Sequence, residues 1–108
     1  MMKLNAIEVY KNMFFVLDEM WAKNKDEMLS IFLSEADPTL CQEGSADPIV
    51  YEDFLKYCPK EIETNDFGYE YILNFLSNLD SYYGDIKSFF VTISKESFVD
   101  KCKTFLNN

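Results

Sequence analysis

The chain has 108 residues, of which 48% are hydrophobic and 17% aromatic, and its net charge at pH 7 is −9. This composition is typical of one folded domain and not of a disordered chain. The sequence contains no histidine and no arginine, so it lacks the side chain that titrates near neutral pH and the planar fork that pairs with phosphates. The excess negative charge would repel a phosphate backbone, which argues against nucleic-acid binding.

Two further features of the composition bear on location. The longest unbroken apolar run has five residues, at 13–17, which is too short to span a membrane. The three cysteines are an odd number without a C-x-x-C pair, a pattern typical of reduced thiols in the cytosol. We therefore expect a cytoplasmic protein.

The segment 5–24 is predicted to be the central helix. On a helical wheel its apolar residues cover an arc of about 180°, wider than the ~100° that a surface helix needs. Such a helix must be covered from two sides. Phe15 lies in the middle of the polar face. We expect a later segment to cover Phe15, and the alternative is an exposed ring that meets a partner.

A second helix is predicted to follow the first after a short break. Asn24 and Glu27 resemble a capping box, which predicts a helix over 25–34. The alternative is one unbroken helix through residue 34, because the apolar spacing continues with little interruption. The segment 35–47 contains proline, glycine and serine at loop-forming positions and is predicted to be one long loop.

Three more helices are predicted from their caps and spacing. Asp47 followed by Pro48 predicts the start of a helix that extends to residue 58. Thr64 or Asn65 can cap a helix over 66–83. Ser94 can cap a last helix over 95–106.

The segment 85–93 is ambiguous, because its apolar spacing fits a helix and its composition also fits a strand. A single strand would have no evident partner, so we favour the helix. The sequence as a whole predicts one all-α domain over 1–108, a compact bundle of five to six helices around the N-terminal helix.

The acidic residues are concentrated in one third of the chain. Segment 35–70 holds ten acidic residues and two lysines, so its net charge is −8 out of a total of −9. Six of the seven tyrosines fall in this segment or just after it. An acidic field with interface-prone tyrosines favours a surface that binds a basic protein. The alternative is that these acids form a solvated face without a partner.

The residues needed for common catalytic chemistry are missing. The cysteines have no histidine to act as a base, and the sequence contains no phosphate-binding loop or nucleophile-elbow motif. The spacing of the acids does not follow a calcium-binding loop. We therefore predict a protein that is not an enzyme and has no catalytic residue, metal site or cofactor. An enzyme with an acidic site would need convergent carboxylates, at least one with a raised pKa.

The segment 44–54, which reads GSADPIVYEDF, resembles an element of small acidic bacterial proteins. Some of these are similar to immunity proteins of polymorphic or contact-dependent toxin systems. The resemblance spans residues 34–54. It implies a cytoplasmic helical protein that binds a cognate toxin, and it carries over no catalytic residue.

The preferred hypothesis is a non-enzymatic binding protein that occludes a basic partner, such as a toxin, through segment 35–70. The residues predicted to contact the partner are Asp37, Glu43, Asp47, Tyr51, Glu52 and Asp53. The alternative is a structural or assembly module that forms a homodimer through an apolar helix face, with the acids serving only to keep it in solution.

Overall fold

The computed structural model describes residues 1–40 and 44–106. Within these two ranges the chain forms seven α-helices, two β-strands and one 3₁₀ turn. In chain order they are β1 (Met2–Asn5), α1 (Ala6–Asn24), α2 (Glu27–Ala36), the 3₁₀ turn (Pro38–Leu40), α3 (Pro48–Phe54), β2 (Glu61–Thr64), α4 (Tyr69–Ser77), α5 (Asp80–Tyr83), α6 (Ile86–Phe90) and α7 (Lys95–Leu106).

The all-α prediction is wrong, because β1 and β2 pair as a two-stranded antiparallel sheet. Leu4 lies opposite Ile62, and both side chains are buried between exposed neighbours in their strands. This alternation is the pattern of a sheet with one face on the core. Each strand has only four residues, too few for the period to stand out beside the helical pattern. The fold is therefore mixed α/β, compact and mostly helical.

The first helix begins at a capping box and ends at a left-handed residue. The Asn5 side chain accepts a hydrogen bond from the Glu8 N–H at 3.0 Å, and the Glu8 carboxylate accepts one from the Asn5 N–H at 2.9 Å. Lys25, with a φ of 57°, ends the helix and donates its N–H to the Trp21 carbonyl at 2.7 Å. The break between α1 and α2 confirms two helices and excludes the unbroken one.

The second helix is capped by a different residue from the one predicted. Asp26, and not Asn24, accepts a hydrogen bond from the Leu29 N–H, at 3.0 Å, because Asn24 is still the last residue of α1. At its other end α2 extends to Ala36, and the 3₁₀ turn follows. Helical structure therefore extends into the loop predicted over 35–47.

The third helix begins as predicted and ends early. The Asp47 side chain accepts a hydrogen bond from the Ile49 N–H at 3.1 Å, and Pro48 occupies the first helical position. The helix ends at Phe54, and hydrogen-bonded turns then extend to Cys58. The predicted helix over 48–58 is therefore shorter than expected.

The helix predicted over 66–83 is divided into α4 and α5 and begins later. Gly68 is the N-cap residue of α4, with a φ of 80°. Thr64 belongs to β2, and its hydroxyl accepts hydrogen bonds from the N–H groups of Asp66 and Gly68 at 3.1 and 3.0 Å. The segment 85–93 contains α6, so the helix that we favoured there is confirmed.

The first helix lies at the centre of the molecule, against β1, α2, α4, α6 and α7. Phe15 is half-buried, and its ring centroid lies 5.7 Å from that of Phe105 in α7, so a later segment covers it as predicted. The predicted bounds of α7 are confirmed. Throughout the described ranges, the helices are too short or too polar to cross a membrane.

Candidate binding groove

A half-open groove of about 480 Å³ lies where the side chains of α2, α3, α4 and α5 meet. We call it the acidic groove. It is lined by apolar residues, two tyrosines and three carboxylates: Ile31, Glu35, Asp47, Ile49, Val50, Asp53, Phe75, Leu79, Tyr82 and Tyr83. Its volume lies within the range typical of ligand sites, ~300–1,000 Å³.

The three carboxylates of the acidic groove come from the ends of two helices. Glu35 lies in the last turn of α2, Asp47 caps α3, and Asp53 lies in the last turn of α3. The Asp47 N–H donates a hydrogen bond to the Glu35 carbonyl at 2.8 Å, which joins these two segments side by side. Two of the acids are thus held next to each other by the main chain.

The apolar part of the acidic groove includes unusually exposed side chains. Ile31 is 43% exposed, Ile49 is 61% exposed and Tyr82 is 76% exposed. Single exposed apolar residues are ordinary, but several that border one concave surface are typical of a site for a partner. These three residues line the same groove as the carboxylates, so the surface offers apolar and negative groups together.

Tyr83 contacts one carboxylate of the acidic groove directly. Its hydroxyl donates a hydrogen bond to the Glu35 carboxylate. Burial, followed by this hydrogen bond and by the charges of Glu35, Asp47 and Asp53, raises the pKa of Tyr83 above its usual range. Burial is the first cause of this pKa shift, and the three groove carboxylates add to it.

One lysine pairs with a carboxylate of the acidic groove. The Lys56 ammonium lies 3.0 Å from the Asp53 carboxylate, and its side chain is largely exposed. The hydrogen bond and the charge of Asp53 raise the pKa of Lys56. Among the described residues, the other lysines in ion pairs, Lys95 and Lys101, bind acids outside the groove.

The structure brings some of the predicted contact residues together and separates others. Asp47 and Asp53 both line the acidic groove. Glu52 is exposed on α3 but does not line the groove. Glu43 lies outside the described residues.

Two other predicted contact residues have structural roles. Asp37 is half-buried, and its carboxylate accepts hydrogen bonds from the N–H and the hydroxyl of Thr39 at 2.8 and 2.6 Å. Tyr51 is only 8% exposed, and its ring centroid lies 5.1 Å from that of Tyr10 in the core. A side chain with so little exposed area has almost none to offer a partner, so we leave Tyr51 out of the proposed surface.

Sequence reasoning missed Glu35, Ile31 and the two tyrosines of α5 as groove residues. The sequence could have indicated Ile49, because in a helix with Val50 and Phe54 facing the core, Ile49 points away from the core. The signal for Ile31 was weaker, since its spacing also fits a buried stripe. The remaining lining residues come together only through tertiary packing.

The described cysteines are buried, and the groove carboxylates already have partners. Burial raises the pKa of Cys58 to about 11 and that of Cys102 to about 12, so both remain thiols at neutral pH and are poor nucleophiles. The described residues contain no cluster of three or more metal-binding side chains. Each groove carboxylate acts as an acceptor or a counter-ion: for Tyr83, for the N-terminus of α3, and for Lys56.

Comparisons with protein-family models, with curated proteins and with solved structures each give no match. The function of this chain is therefore inferred from its own groove, and the resemblance of segment 44–54 to immunity proteins stays a prediction.

Proposed function

We propose that this protein is a non-enzymatic acidic binding protein that receives a basic partner protein in the acidic groove. The observation that carries the proposal is the groove itself, in which three carboxylates and exposed apolar side chains line one concave surface. A concave surface of this kind fits a partner with basic and apolar side chains on one face. Such a partner would replace water on the apolar residues and neutralise the carboxylates.

The charge of the whole protein supports the same partner class. Segment 35–70 carries a net charge of −8 and supplies all three carboxylates of the acidic groove, Glu35, Asp47 and Asp53. A field of this sign increases the rate of encounter with a cationic protein by a factor of ~10–10³ at low salt. Encounter and docking would then take place on the same side of the molecule.

Within this class, we propose an inhibitor of the immunity-protein type that acts in the cytoplasm. Segment 44–54, which resembles immunity proteins, includes the groove residues Asp47, Ile49 and Asp53. An inhibitor that covers a cationic surface would block a toxin whose substrate is an anion such as a nucleic acid. No catalytic step by this protein is needed for that effect.

A symmetric homodimer through this groove is the less favourable arrangement. A two-fold axis brings the same surface of both copies together. Three carboxylates of one copy would then face three of the other, and like charges across an interface are repulsive. Size-exclusion chromatography with light scattering tests this point, and a monomer at low and high salt is the expected result.

The proposal is tested with two baits that carry the same net charge. The groove variant combines Glu35→Gln, Asp47→Asn and Asp53→Asn. The control variant combines Glu52→Gln, Glu61→Gln and Glu63→Gln, which are exposed acids outside the groove. Each bait and the wild type are incubated with a lysate of the organism of origin, and bound proteins are quantified at ~50 and ~500 mM salt.

We expect a basic protein that is retained by the wild type and the control variant, is lost from the groove variant, and is weakened at high salt. The captured protein is then assayed for activity with and without the wild-type chain, and inhibition is expected. Equal capture by all three baits, or capture that salt does not weaken, would contradict the proposal. Capture without inhibition would retain the binding function and remove the inhibitor function.

A further inference from the structure

The arrangement of charge along α3 specifies more about the occupant of the acidic groove. Asp47 lies at the start of α3 and Asp53 near its end, with Ile49 and Val50 between them. Six residues of helix separate the two acids by about 9 Å along the axis. The wall formed by α3 therefore presents an acid, then apolar groups, then a second acid.

The facing wall supplies aromatic rings. Tyr82 is 76% exposed, and its ring centroid lies 6.5 Å from that of Tyr83. A guanidinium group stacks on a tyrosine face and pairs with a carboxylate through its planar fork, whereas an ammonium group does neither as well. Carboxylates beside an open tyrosine ring thus favour arginine over lysine as the basic residue of the partner.

We propose that the acidic groove binds an amphipathic helix of the partner with arginines seven residues apart and apolar residues between them. Two turns of helix separate such arginines by ~10.5 Å, close to the spacing of the acids on α3. Apolar residues three and four positions after the first arginine lie on the same face and meet Ile31 and Ile49. This inference rests on the proposed function, because it describes the partner of the same groove.

The occupant comes from a different protein and not from a second copy of this chain. The sequence contains no arginine, so another copy cannot supply the guanidinium groups. Its lysines could supply charge alone, without the stacking that the tyrosine face offers.

The test uses labelled helical peptides of about 15 residues, long enough to be partly helical in isolation. The facial peptide has two arginines seven residues apart with two leucines between them on the same face. The shifted peptide has the same composition, with both arginines moved by two positions, which rotates them by about 200° around the helix. A lysine peptide replaces both arginines of the facial peptide. Fluorescence anisotropy measures the affinity of each peptide for the wild type, the groove variant and the control variant.

We expect the facial peptide to bind the wild type at least tenfold more tightly than the shifted peptide and at least threefold more tightly than the lysine peptide. Both preferences should persist in the control variant and fall to about one in the groove variant. Equal binding of the facial and shifted peptides would overturn the helical mode, and equal binding of the lysine peptide would overturn the arginine preference.

These outcomes are distinguishable from failure of the proposed function. If the bait experiment captures a groove-dependent partner while the peptides show no preference, the protein remains a binding protein and only the helical occupant is rejected. If the peptides show both preferences while no basic protein is captured, the groove recognises arginine helices but the proposed basic protein partner is rejected.

Discussion

Gly68 offers a direct test of how β2 and α4 pack on the central helix. Its φ is +80°, and a Cβ atom placed on it would lie 2.9 Å from Val9 Cγ1 and 3.1 Å from Ile62 Cδ1. An alanine in the left-handed region costs about 1–2 kcal/mol. Displacement of two branched core side chains costs about 1–3 kcal/mol more. We therefore expect Gly68→Ala to lower the free energy of unfolding by about 2–5 kcal/mol, and the melting temperature by at least about 10 °C.

Gly84 is a second glycine at positive φ, +73°, where a Cβ atom would have no heavy atom within 4 Å, and its ψ of −160° lies outside the left-handed region. Gly84→Ala should therefore show a conformational cost without a packing cost, about 1–3 kcal/mol, because this backbone region is essentially restricted to glycine. Both variants are measured by urea unfolding followed by tryptophan fluorescence and circular dichroism. A loss in Gly68→Ala no larger than the about 1–2 kcal/mol of its left-handed backbone alone would refute the close packing of Gly68 against Val9 and Ile62.

Three further predictions follow from buried or paired groups. Tyr10 donates a buried hydrogen bond of 2.6 Å to the carbonyl of Ala36, the last residue of α2, so Tyr10→Phe should lower the free energy of unfolding by about 1–3 kcal/mol. The control Tyr82→Phe, at an exposed site, should change the free energy of unfolding by less than about 0.5 kcal/mol. Equal effects of the two substitutions in urea unfolding would contradict this prediction. Lys56→Gln should tighten binding of the facial peptide about two- to fivefold, because Asp53 then no longer pairs with an internal lysine. The control Lys60→Gln, at another exposed lysine, should leave the affinity unchanged. Weaker peptide binding by Lys56→Gln in fluorescence anisotropy would contradict competition between Lys56 and the peptide for Asp53. Burial raises the pKa of Cys58 from 9.0 to about 11, so the folded state holds this proton more tightly, and the resulting stability is present below pH 9 and is lost as pH rises towards 11. Urea unfolding between pH 8 and 11 should therefore show a shallower decline in Cys58→Ala than in the wild type, and parallel declines would contradict the shift.

The features that the sequence predicted correctly are those that local chemistry determines. The central helix follows from its long apolar period. The start of α3 follows from Asp47, whose side chain accepts a hydrogen bond from a free N–H of the first turn, and from Pro48, which has no N–H to satisfy. The last helix follows from its own period, and its bounds match. In each case the information lies within one or two turns of the residues concerned.

The features that were missed depend on partners distant in the chain. Leu4 and Ile62 pair although they lie far apart in the chain, and the 2.8 Å hydrogen bond from the Ala6 N–H to the Lys60 carbonyl continues the same ladder. The acidic groove likewise combines α2, α3, α4 and α5, and no single window of sequence contains it. Tyr51 is a similar case for a single residue. A tyrosine ring is suited to both an interface and a core, and only the tertiary packing against Tyr10 shows that Tyr51 belongs to the core.

The groove variant also separates a role in stability from a role in binding. Asp47→Asn keeps the cap on α3, Glu35→Gln keeps an acceptor for the Tyr83 hydroxyl, and Asp53→Asn removes only a solvent-exposed ion pair. Removing three negative charges from a chain of −9 also reduces self-repulsion.

We therefore expect the groove variant to unfold in urea with a free energy within about 1 kcal/mol of the wild type or higher, while it loses the partner and the facial peptide. The control variant should match it in stability and retain binding. If the groove variant loses more than about 2 kcal/mol, the acids hold the fold together and their concentration in the groove serves structure. Preserved stability with lost binding would show that these carboxylates are placed side by side for a ligand, because such an arrangement does nothing for the fold.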